Sequence, residues 1–185
     1  MKSLTPPITP ERQARIDNLM NPQITMGMRA PESLTAEHNI AEFCCQEPAL
    51  NEWLKKKALR NHSTGISRVY VVCAENSNRV IGYYCLSSGS VHRNTVPGAY
   101  RRNAPEVIPV IVLGRLAIDQ AWSGNGLGAA LLKDAIYRTQ NIAFQVGVRA
   151  LAVHALNEEV KCFYTRFGFE PSIVNTLTLL FPIKV

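Results

Sequence analysis

One glycine-rich segment of the chain reads Ser123-Gly124-Asn125-Gly126-Leu127-Gly128-Ala129, directly ahead of a helical pattern that extends to Ala143. Closely spaced glycines let successive backbone N–H groups converge, and the start of a helix adds a partial positive charge. The segment therefore predicts a turn that can hold a pyrophosphate. It lacks the Gly-Lys-Ser/Thr of a Walker loop, and its glycine spacing differs from that of a dinucleotide-binding turn. A tight turn without any ligand is the alternative.

Hydrophobic periodicity on both sides of this segment predicts alternating strands and helices of the α/β class. Runs of β-branched and aromatic residues at 68–73 and 79–86 predict an antiparallel hairpin. The apolar run Ile108–Ile118 predicts a central strand, which forms a strand–helix–strand unit with the helix and apolar run after it. The other expected elements are an extended stretch at Thr25–Arg29, helices at Ser33–Cys45, Pro48–Arg60, Gly126–Ala143 and Asn157–Arg166, an irregular loop at 88–106, and strands at Val148–Leu156 and Thr176–Ile183.

Composition favours a globular protein. The chain has 185 residues, of which 46% are hydrophobic and 18% charged, and this length is enough for one domain with a buried core. Neither a disordered chain nor a membrane span fits this composition. Residues 1–27, rich in proline, predict an N-terminal extension without the apolar core of a signal peptide, and residues 28–185 predict one domain. The five cysteines lack a Cys-x-x-Cys spacing, which favours a reduced, cytoplasmic location and no metal site.

A second motif lies at Asn157–Phe169, where Phe163-Tyr164 precedes Gly168-Phe169. Together the two motifs resemble the GNAT family of acetyl-CoA-dependent N-acetyltransferases, whose glycine turn reads Gln/Arg-x-x-Gly-x-Gly/Ala and whose later helix ends in Phe-Tyr-x-x-x-Gly-Phe. Ser123 departs from the usual glutamine or arginine, which alters one phosphate-facing side chain and leaves the backbone cradle intact. The resemblance implies an α/β (α+β) fold: a single domain with a central mixed, mostly antiparallel, twisted sheet flanked by helices.

The resemblance also implies that acetyl-CoA is the co-substrate, with no metal. In the family, the strand before the glycine turn pairs with the pantetheine arm through main-chain hydrogen bonds, and the turn holds the pyrophosphate. Asn157, at the head of the later helix, would touch the cofactor arm. The cofactor-binding residues implied in this way are Leu116, Ala117, Ile118, Ser123, Gly124, Asn125, Gly126, Leu127, Gly128, Ala129 and Asn157.

By the same resemblance, Tyr164 is the general acid. A leaving thiolate has a pKa of roughly 8.5, by analogy with cysteine, and a phenol with a pKa near roughly 10 can protonate it as it departs. The alternative is a tyrosine that only packs among neighbouring aromatic rings. Direct attack by the amine is favoured over a covalent intermediate on Cys162, because no paired histidine is evident. Glu52, Glu106 and Asp119 are possible bases, although the sequence does not place them near an acceptor.

Further segments resemble the TacT-like branch of the family, the acetyltransferase toxins of type II toxin–antitoxin pairs. These segments are Leu50–Lys55, Ser87–Val91, Arg101–Val110, Leu113–Asp119 and Gly147–Leu156. This resemblance implies acetylation of the α-amino group of aminoacyl-tRNA, which blocks translation. It also implies a DNA-binding antitoxin of the ribbon-helix-helix kind as partner, and a homodimer. A free α-amine titrates near roughly 8, and the neighbouring ester lowers that value further, so a strong base is unnecessary.

The distribution of charge agrees with an RNA substrate. The chain carries 20 Lys+Arg against 14 Asp+Glu, and no acidic residue occurs between Glu52 and Glu75 or between Glu75 and Glu106. Long basic stretches suit a phosphate backbone, although a solvated helix face or a counter-charge for CoA phosphates explains them as well. The candidate RNA contacts are Lys55, Arg93, Arg101 and Arg102.

Two other functions remain open on the sequence. One is a GNAT enzyme that acts on a small amine or a protein N-terminus, because fold does not settle the acceptor. The other is a non-catalytic module that binds CoA or nucleic acid, although the presence of both Tyr164 and the glycine turn argues against it.

Overall fold

The computed structural model describes residues 27–184, so the expected extension at 1–27 lies outside the described residues except for Gly27. Seven strands form a mixed sheet in the order β1-β2-β3-β4-β5-β7-β6, flanked by helices, which confirms the expected α/β fold class. The strands are β1 Glu32–Ser33, β2 Arg68–Cys73, β3 Val80–His92, β4 Val107–Ile118, β5 Ala150–His154, β6 Glu170–Pro171 and β7 Thr178–Pro182. The helices are α1 Pro48–Trp53, α2 Leu59–Ser63, α3 Gly98–Arg101, α4 Leu127–Ala143 and α5 Glu158–Arg166, with a π-helical segment at Leu54–Ala58 and 3₁₀ turns at Arg93–Thr95 and Gln120–Trp122. None of the described helices is long and apolar enough to span a bilayer.

The described residues group into two compact units. One contains residues 27–87 and 113–135, and its core includes Phe43, Leu54 and Tyr83, all fully buried. The other contains residues 88–112 and 136–184, and its core includes Ile108, Ala150 and Leu180. Each unit therefore has a hydrophobic core of its own.

The expected hairpin is confirmed. β2 and β3 pair antiparallel with Tyr70 opposite Tyr84, and the rings of these two tyrosines stack with centroids 5.2 Å apart. Antiparallel pairing also joins β5 to β7 and β6 to β7. β4 is the fourth of the seven strands, as expected for the central position.

The expected irregular loop at 88–106 is wrong in two places, at its start and in its middle. β3 continues to His92, and residues 98–101 form α3. Exposed and half-buried residues alternate from Ser87 to His92, so this part of the strand carries no apolar run that would reveal it. A Cβ on Gly89 would lie only 2.7 Å from Cγ2 of Val112, so the close approach of the two strands here requires glycine.

The expected helix at Ser33–Cys45 is also wrong, because strand pairing takes the backbone groups that a helix would need. Ser33 pairs with Tyr70 in the sheet, and the Leu34 N–H donates to the Val69 carbonyl at 3.0 Å. Asn39 donates to the Asn78 carbonyl at 2.8 Å and accepts from the Val80 N–H at 3.0 Å. The apolar spacing in this stretch therefore reflects side chains packed from a series of turns.

The expected helix at Pro48–Arg60 is confirmed and continues to Ser63, with π-helical geometry at Leu54–Ala58. Leu54 and Ala58 are fully buried, whereas the three lysines between them are exposed. The helix therefore presents a basic face to solvent while its apolar side chains anchor it on the unit of residues 27–87 and 113–135.

Candidate active site

The glycine turn begins where β4 ends. After Ile118, a 3₁₀ turn at Gln120–Trp122 leads into residues 123–126, which are all exposed. Gly124 and Gly126 have φ of +82° and +79°, values that side chains other than glycine rarely adopt, so the two glycines are required by the backbone.

Helix α4 starts immediately after the turn. The Ala130 N–H makes an early helical bond, to the Gly126 carbonyl at 3.1 Å. The N–H groups of Leu127, Gly128 and Ala129 lie in the first turn, where a helix offers no acceptor of its own. These donors and the positive end of the helix dipole form the anion-binding geometry that the motif predicts.

Close packing fixes the start of α4 on the sheet. A Cβ on Gly82 of β3 would lie 3.1 Å from terminal carbons of both Ile118 and Leu131 and 3.3 Å from a terminal carbon of Leu127. Leu127 and Leu131 are buried, so these leucines fill the space that a larger residue at position 82 would need. The first turn of the helix is thereby held close to β3, the strand next to β4 in the sheet.

The strand residues expected to meet the cofactor arm lie in the same unit as the turn. Ala117 is buried in its core cluster, and Leu116 and Ile118 are half-buried. The structure therefore brings Leu116, Ala117 and Ile118 together with the glycine turn in one compact unit.

Tyr164 lies on α5 and Asn157 immediately precedes that helix, both in the other unit. The Asn157 side-chain oxygen accepts from the Val160 N–H at 2.9 Å and so caps the helix. Because Oδ1 is used by the cap, a contact with a cofactor would rely on the amide N–H groups of Asn157. Gly168, with φ of +88°, ends the helix as the sequence predicts.

Tyr164 is 5% exposed and is flanked by aromatic rings. The ring centroids of Phe163 and Phe169 lie 5.2 Å and 5.4 Å from that of Tyr164. Burial raises the pKa of Tyr164, since an apolar environment disfavours the phenolate. The phenol therefore keeps its proton at neutral pH, which is the form a general acid needs. The packing alternative from the sequence describes the surroundings of the ring correctly but does not exclude a catalytic hydroxyl.

Cys162 is exposed, two positions before the buried Tyr164 on the same helix. Residues two apart on a helix do not share a face. The thiol thus points away from the side on which the tyrosine is buried, which agrees with direct transfer.

Two of the three possible bases have other roles. Glu52 is exposed and bonds to Lys56 at 2.8 Å, and this hydrogen bond lowers the pKa of the Glu52 carboxyl. Asp119 is buried, and backbone N–H groups bond to both of its carboxylate oxygens. Glu106 is exposed.

The expected RNA contacts fall in different places. Lys55 is exposed in the π-helical segment, and Arg93, Arg101 and Arg102 are exposed in the other unit. Arg101 donates to the Val96 carbonyl at 2.7 Å and the Asn94 carbonyl at 3.4 Å, so its guanidinium stabilises the backbone of the loop that carries it.

A cation–π contact was not foreseen from the sequence. The Arg115 guanidinium of β4 lies 4.3 Å from the ring centroid of Trp53, which stacks on Tyr83 with centroids 5.9 Å apart. No sequence spacing connects an arginine on one strand with a tryptophan on a distant helix.

Among residues 27–184, one group has metal-ligand chemistry: Glu32, His38 and Cys73. The Thr35 N–H donates to Nδ1 of His38 at 2.9 Å, so Nε2 carries the proton and faces Oε1 of Glu32 at 3.3 Å. Arg29 also bonds to Glu32. Burial raises the pKa of Glu32, but hydrogen bonds from His38 and Arg29 outweigh it and leave that pKa below its ordinary value. Glu32 thus joins Arg29 and His38 in one polar network.

Comparison with known proteins places the chain in a family. Residues 66–171 match the acetyltransferase (GNAT) domain. The chain belongs to the GNAT acetyltransferase family, so it is an acetyl-CoA-dependent acyltransferase.

Its relatives define a narrower group. A tRNA-acetylating toxin from Mycobacterium tuberculosis is 44% identical over 158 residues, which cover 85% of this chain and 94% of the toxin. The solved structure of AtaT complexed with acetyl-methionyl-tRNAfMet has a TM-score of 0.79 at 35% identity, covering 84% of this chain and 94% of that chain. A Tyr-to-Phe mutant of the toxin AtaT, bound to the C-terminus of the antitoxin AtaR and acetyl-CoA, has a TM-score of 0.71 at 34% identity, covering 84% and 92% of the two chains.

Proposed function

We propose that this protein is a toxin that transfers the acetyl group of acetyl-CoA to the α-amino group of aminoacyl-tRNA and thereby blocks translation. The observation that carries the proposal is the 44% identity to a tRNA-acetylating toxin across 94% of that toxin's length. The complex of the structurally similar AtaT with acetyl-methionyl-tRNA supports the same acceptor.

In this proposal, acetyl-CoA binds at the glycine turn. Residues 123–126 are exposed, and the first N–H groups of α4 have no acceptor within the helix, so both are available to the pyrophosphate. Leu116, Ala117 and Ile118 offer main-chain groups to the pantetheine arm, and Asn157 offers its amide N–H groups.

The acceptor amine attacks the thioester carbonyl directly. Because its pKa is near roughly 8 or lower, much of the amine is neutral at cellular pH, and no dedicated base is required. As the C–N bond forms and the C–S bond breaks, Tyr164 donates its phenolic proton to the CoA thiolate, and the proton lost by the acylated nitrogen returns, directly or through water, to the Tyr164 phenolate. The engaged states of Glu52 and Asp119 support a mechanism that uses neither as base.

The partners follow from the relatives. An antitoxin partner is supported by the complex of AtaT with the C-terminus of the antitoxin AtaR. We propose that this partner is of the ribbon-helix-helix kind and inhibits the enzyme. We further propose a homodimer, a cytoplasmic location and a catalytic domain of residues 28–185 preceded by an extension at 1–27.

The decisive experiment uses labelled acetyl-CoA and a pool of charged tRNAs. We expect mass spectrometry to detect acetyl groups on the esterified amino acids after incubation with the parent enzyme. Uncharged tRNA, small amines and peptides with free N-termini serve as parallel acceptors. Transfer only to one of the latter two would replace aminoacyl-tRNA with a different acceptor class.

The two adjacent arginines proposed to lie near RNA are expected to differ, because the Arg101 side chain is bonded to its own loop. Arg102→Ala is expected to make the slope of log(kcat/KM) against log[salt] less steep by about 1, which corresponds to the loss of one phosphate contact. The melting temperature is expected to stay unchanged. Arg101→Ala is expected to lower the melting temperature, because it removes the hydrogen bonds to the Val96 and Asn94 carbonyls. Activity from low to moderate salt and a thermal melt measure both effects. An unchanged salt slope for Arg102→Ala would remove that residue from the RNA surface.

A further inference from the structure

Asp119 is the one carboxylate residue that is fully buried among residues 27–184, with 2% exposure. A buried carboxylate is costly unless hydrogen bonds compensate for the lost water. Asp119 follows the last residue of β4 and precedes the 3₁₀ turn that leads to the glycine turn. Its position therefore links the strand proposed to meet the pantetheine arm to the turn proposed to hold the pyrophosphate.

Each polar group of Asp119 is engaged. Oδ1 accepts from the Ala121 N–H at 3.0 Å, which caps the 3₁₀ turn, and Oδ2 accepts from the Cys44 N–H at 3.0 Å. On the main chain, the Asp119 N–H donates to the Ile81 carbonyl at 2.8 Å, and its carbonyl accepts from the Trp122 N–H at 2.9 Å. The two carboxylate oxygens thus hold two separate segments of chain at once.

The segment that contains Cys44 and Cys45 is hydrogen-bonded both to the residues after β4 and to α1. The Cys44 carbonyl accepts from the Gln120 N–H at 2.8 Å, which closes a reciprocal pair of bonds with the region after β4. The Cys45 N–H donates to Oδ1 of Asn51 at 2.8 Å, and Nδ2 of Asn51 donates back to the Cys45 carbonyl at 2.9 Å. Asn51 of α1 is therefore bonded to Cys45, and the adjacent Cys44 is bonded to Asp119 and Gln120, which precede the glycine turn.

We propose that Asp119 is a positioning residue, which fixes the acetyl-CoA turn relative to β4 and to the 44–51 segment. It acts through the backbone of residues 120–123 and does not touch the reacting atoms. The inference rests on the proposed placement of acetyl-CoA at the glycine turn. It replaces the expectation from sequence that Asp119 is a possible base.

The test is Asp119→Asn, which has the same shape but turns one acceptor into an amide group facing a backbone N–H. Isothermal titration with acetyl-CoA alone is expected to give a Kd about 10-fold higher than that of the parent. The kcat at saturating acetyl-CoA is expected to stay within about threefold of the parent, since the reacting groups remain. A base would behave differently, because its loss would lower kcat and change the pH profile.

The matched control is Ser172→Ala, which removes another buried hydrogen bond, from the Ser172 hydroxyl to the Thr95 carbonyl at 2.7 Å, in the other unit. It is expected to lower the melting temperature without changing the Kd for acetyl-CoA. If Asp119→Asn also leaves that Kd unchanged, the positioning role is wrong. If Asp119→Asn fails to fold, Asp119→Ser provides the test, because its hydroxyl can still cap Ala121 but does not reach Cys44, and the same rise in Kd is expected.

The outcome also distinguishes this inference from the proposed cofactor site. If Gly126→Asp abolishes acetyl-CoA binding and Asp119→Asn leaves it unchanged, the site is correct and the positioning role fails. If neither change affects acetyl-CoA binding, the cofactor lies elsewhere and both proposals fail.

Discussion

Tyr164→Phe is expected to lower kcat by about 10²–10⁴-fold, the range that a general acid contributes. The phenylalanine ring keeps the contacts with Phe163 and Phe169, so only the hydroxyl and its proton are lost. Without that proton, the CoA thiolate must leave as an anion. The Kd for acetyl-CoA is expected to remain within about twofold of the parent, because the change affects a step after binding.

Single-turnover rates and titration calorimetry measure the two quantities separately. Tyr137→Phe is a matched control, since Tyr137 is 61% exposed on α4 and the chemical change is the same. Because burial raises the pKa of Tyr164, the parent enzyme should lose no activity from ionisation of this phenol up to a pH of roughly 10. Equal kcat values for Tyr164→Phe and the parent would leave Tyr164 with a packing role alone.

Gly126→Asp is expected to raise the Kd for acetyl-CoA by about 100-fold. A carboxylate placed a few ångströms from a phosphate in a partly solvated turn costs roughly 2–3 kcal/mol, and 1.4 kcal/mol corresponds to about a tenfold change in affinity. The side chain also occupies space beside the N–H groups of the first turn of α4. Since φ at Gly126 is +79°, folding is strained as well, by roughly 1–2 kcal/mol.

Two controls separate charge from strain. Gly126→Asn introduces the same volume without charge, in a residue type that accepts the left-handed conformation, and we expect a smaller rise in Kd. Gly65→Asp adds the same side chain at the same φ of +79°, in open space at the end of α2, and we expect a loss of stability with unchanged affinity. If all three variants bind acetyl-CoA as the parent does, the glycine turn does not hold the cofactor.

The sequence predicted the parts of the molecule whose local chemistry is strong. Local signals of this kind depend on a few neighbouring residues: glycines at positive φ, an asparagine cap and a buried apolar strand. The glycine turn, α5 and β4 are therefore predicted close to their observed bounds. The hairpin of β2 and β3 emerges for the same reason, because two β-branched runs flank a short polar turn.

The parts it missed depend on distant partners. The 33–45 segment has the apolar spacing of a helix, but bonds from Leu34 to Val69 and from Asn39 to Asn78 and Val80 draw it into turns beside the sheet. The contact of Arg115 with Trp53 has the same origin. For Asp119, the sequence offered an acidic residue after a strand, and only the positions of the Cys44 and Ala121 N–H groups reveal its role.

The crowding at Gly82 bears on how sequence variation in this family is interpreted. Gly82 belongs to neither motif and carries no reactive group, yet a methyl group there would lie 3.1–3.3 Å from terminal carbons of Ile118, Leu127 and Leu131, which would each have to shift to accept it. A larger residue at this position would press on Leu127 and Leu131 of α4, so selection would act against it although it lies outside the glycine turn. Invariance of this glycine across an alignment would therefore record a steric limit, and a survey that equates invariance with chemistry would mistake a strand residue for part of the cofactor site.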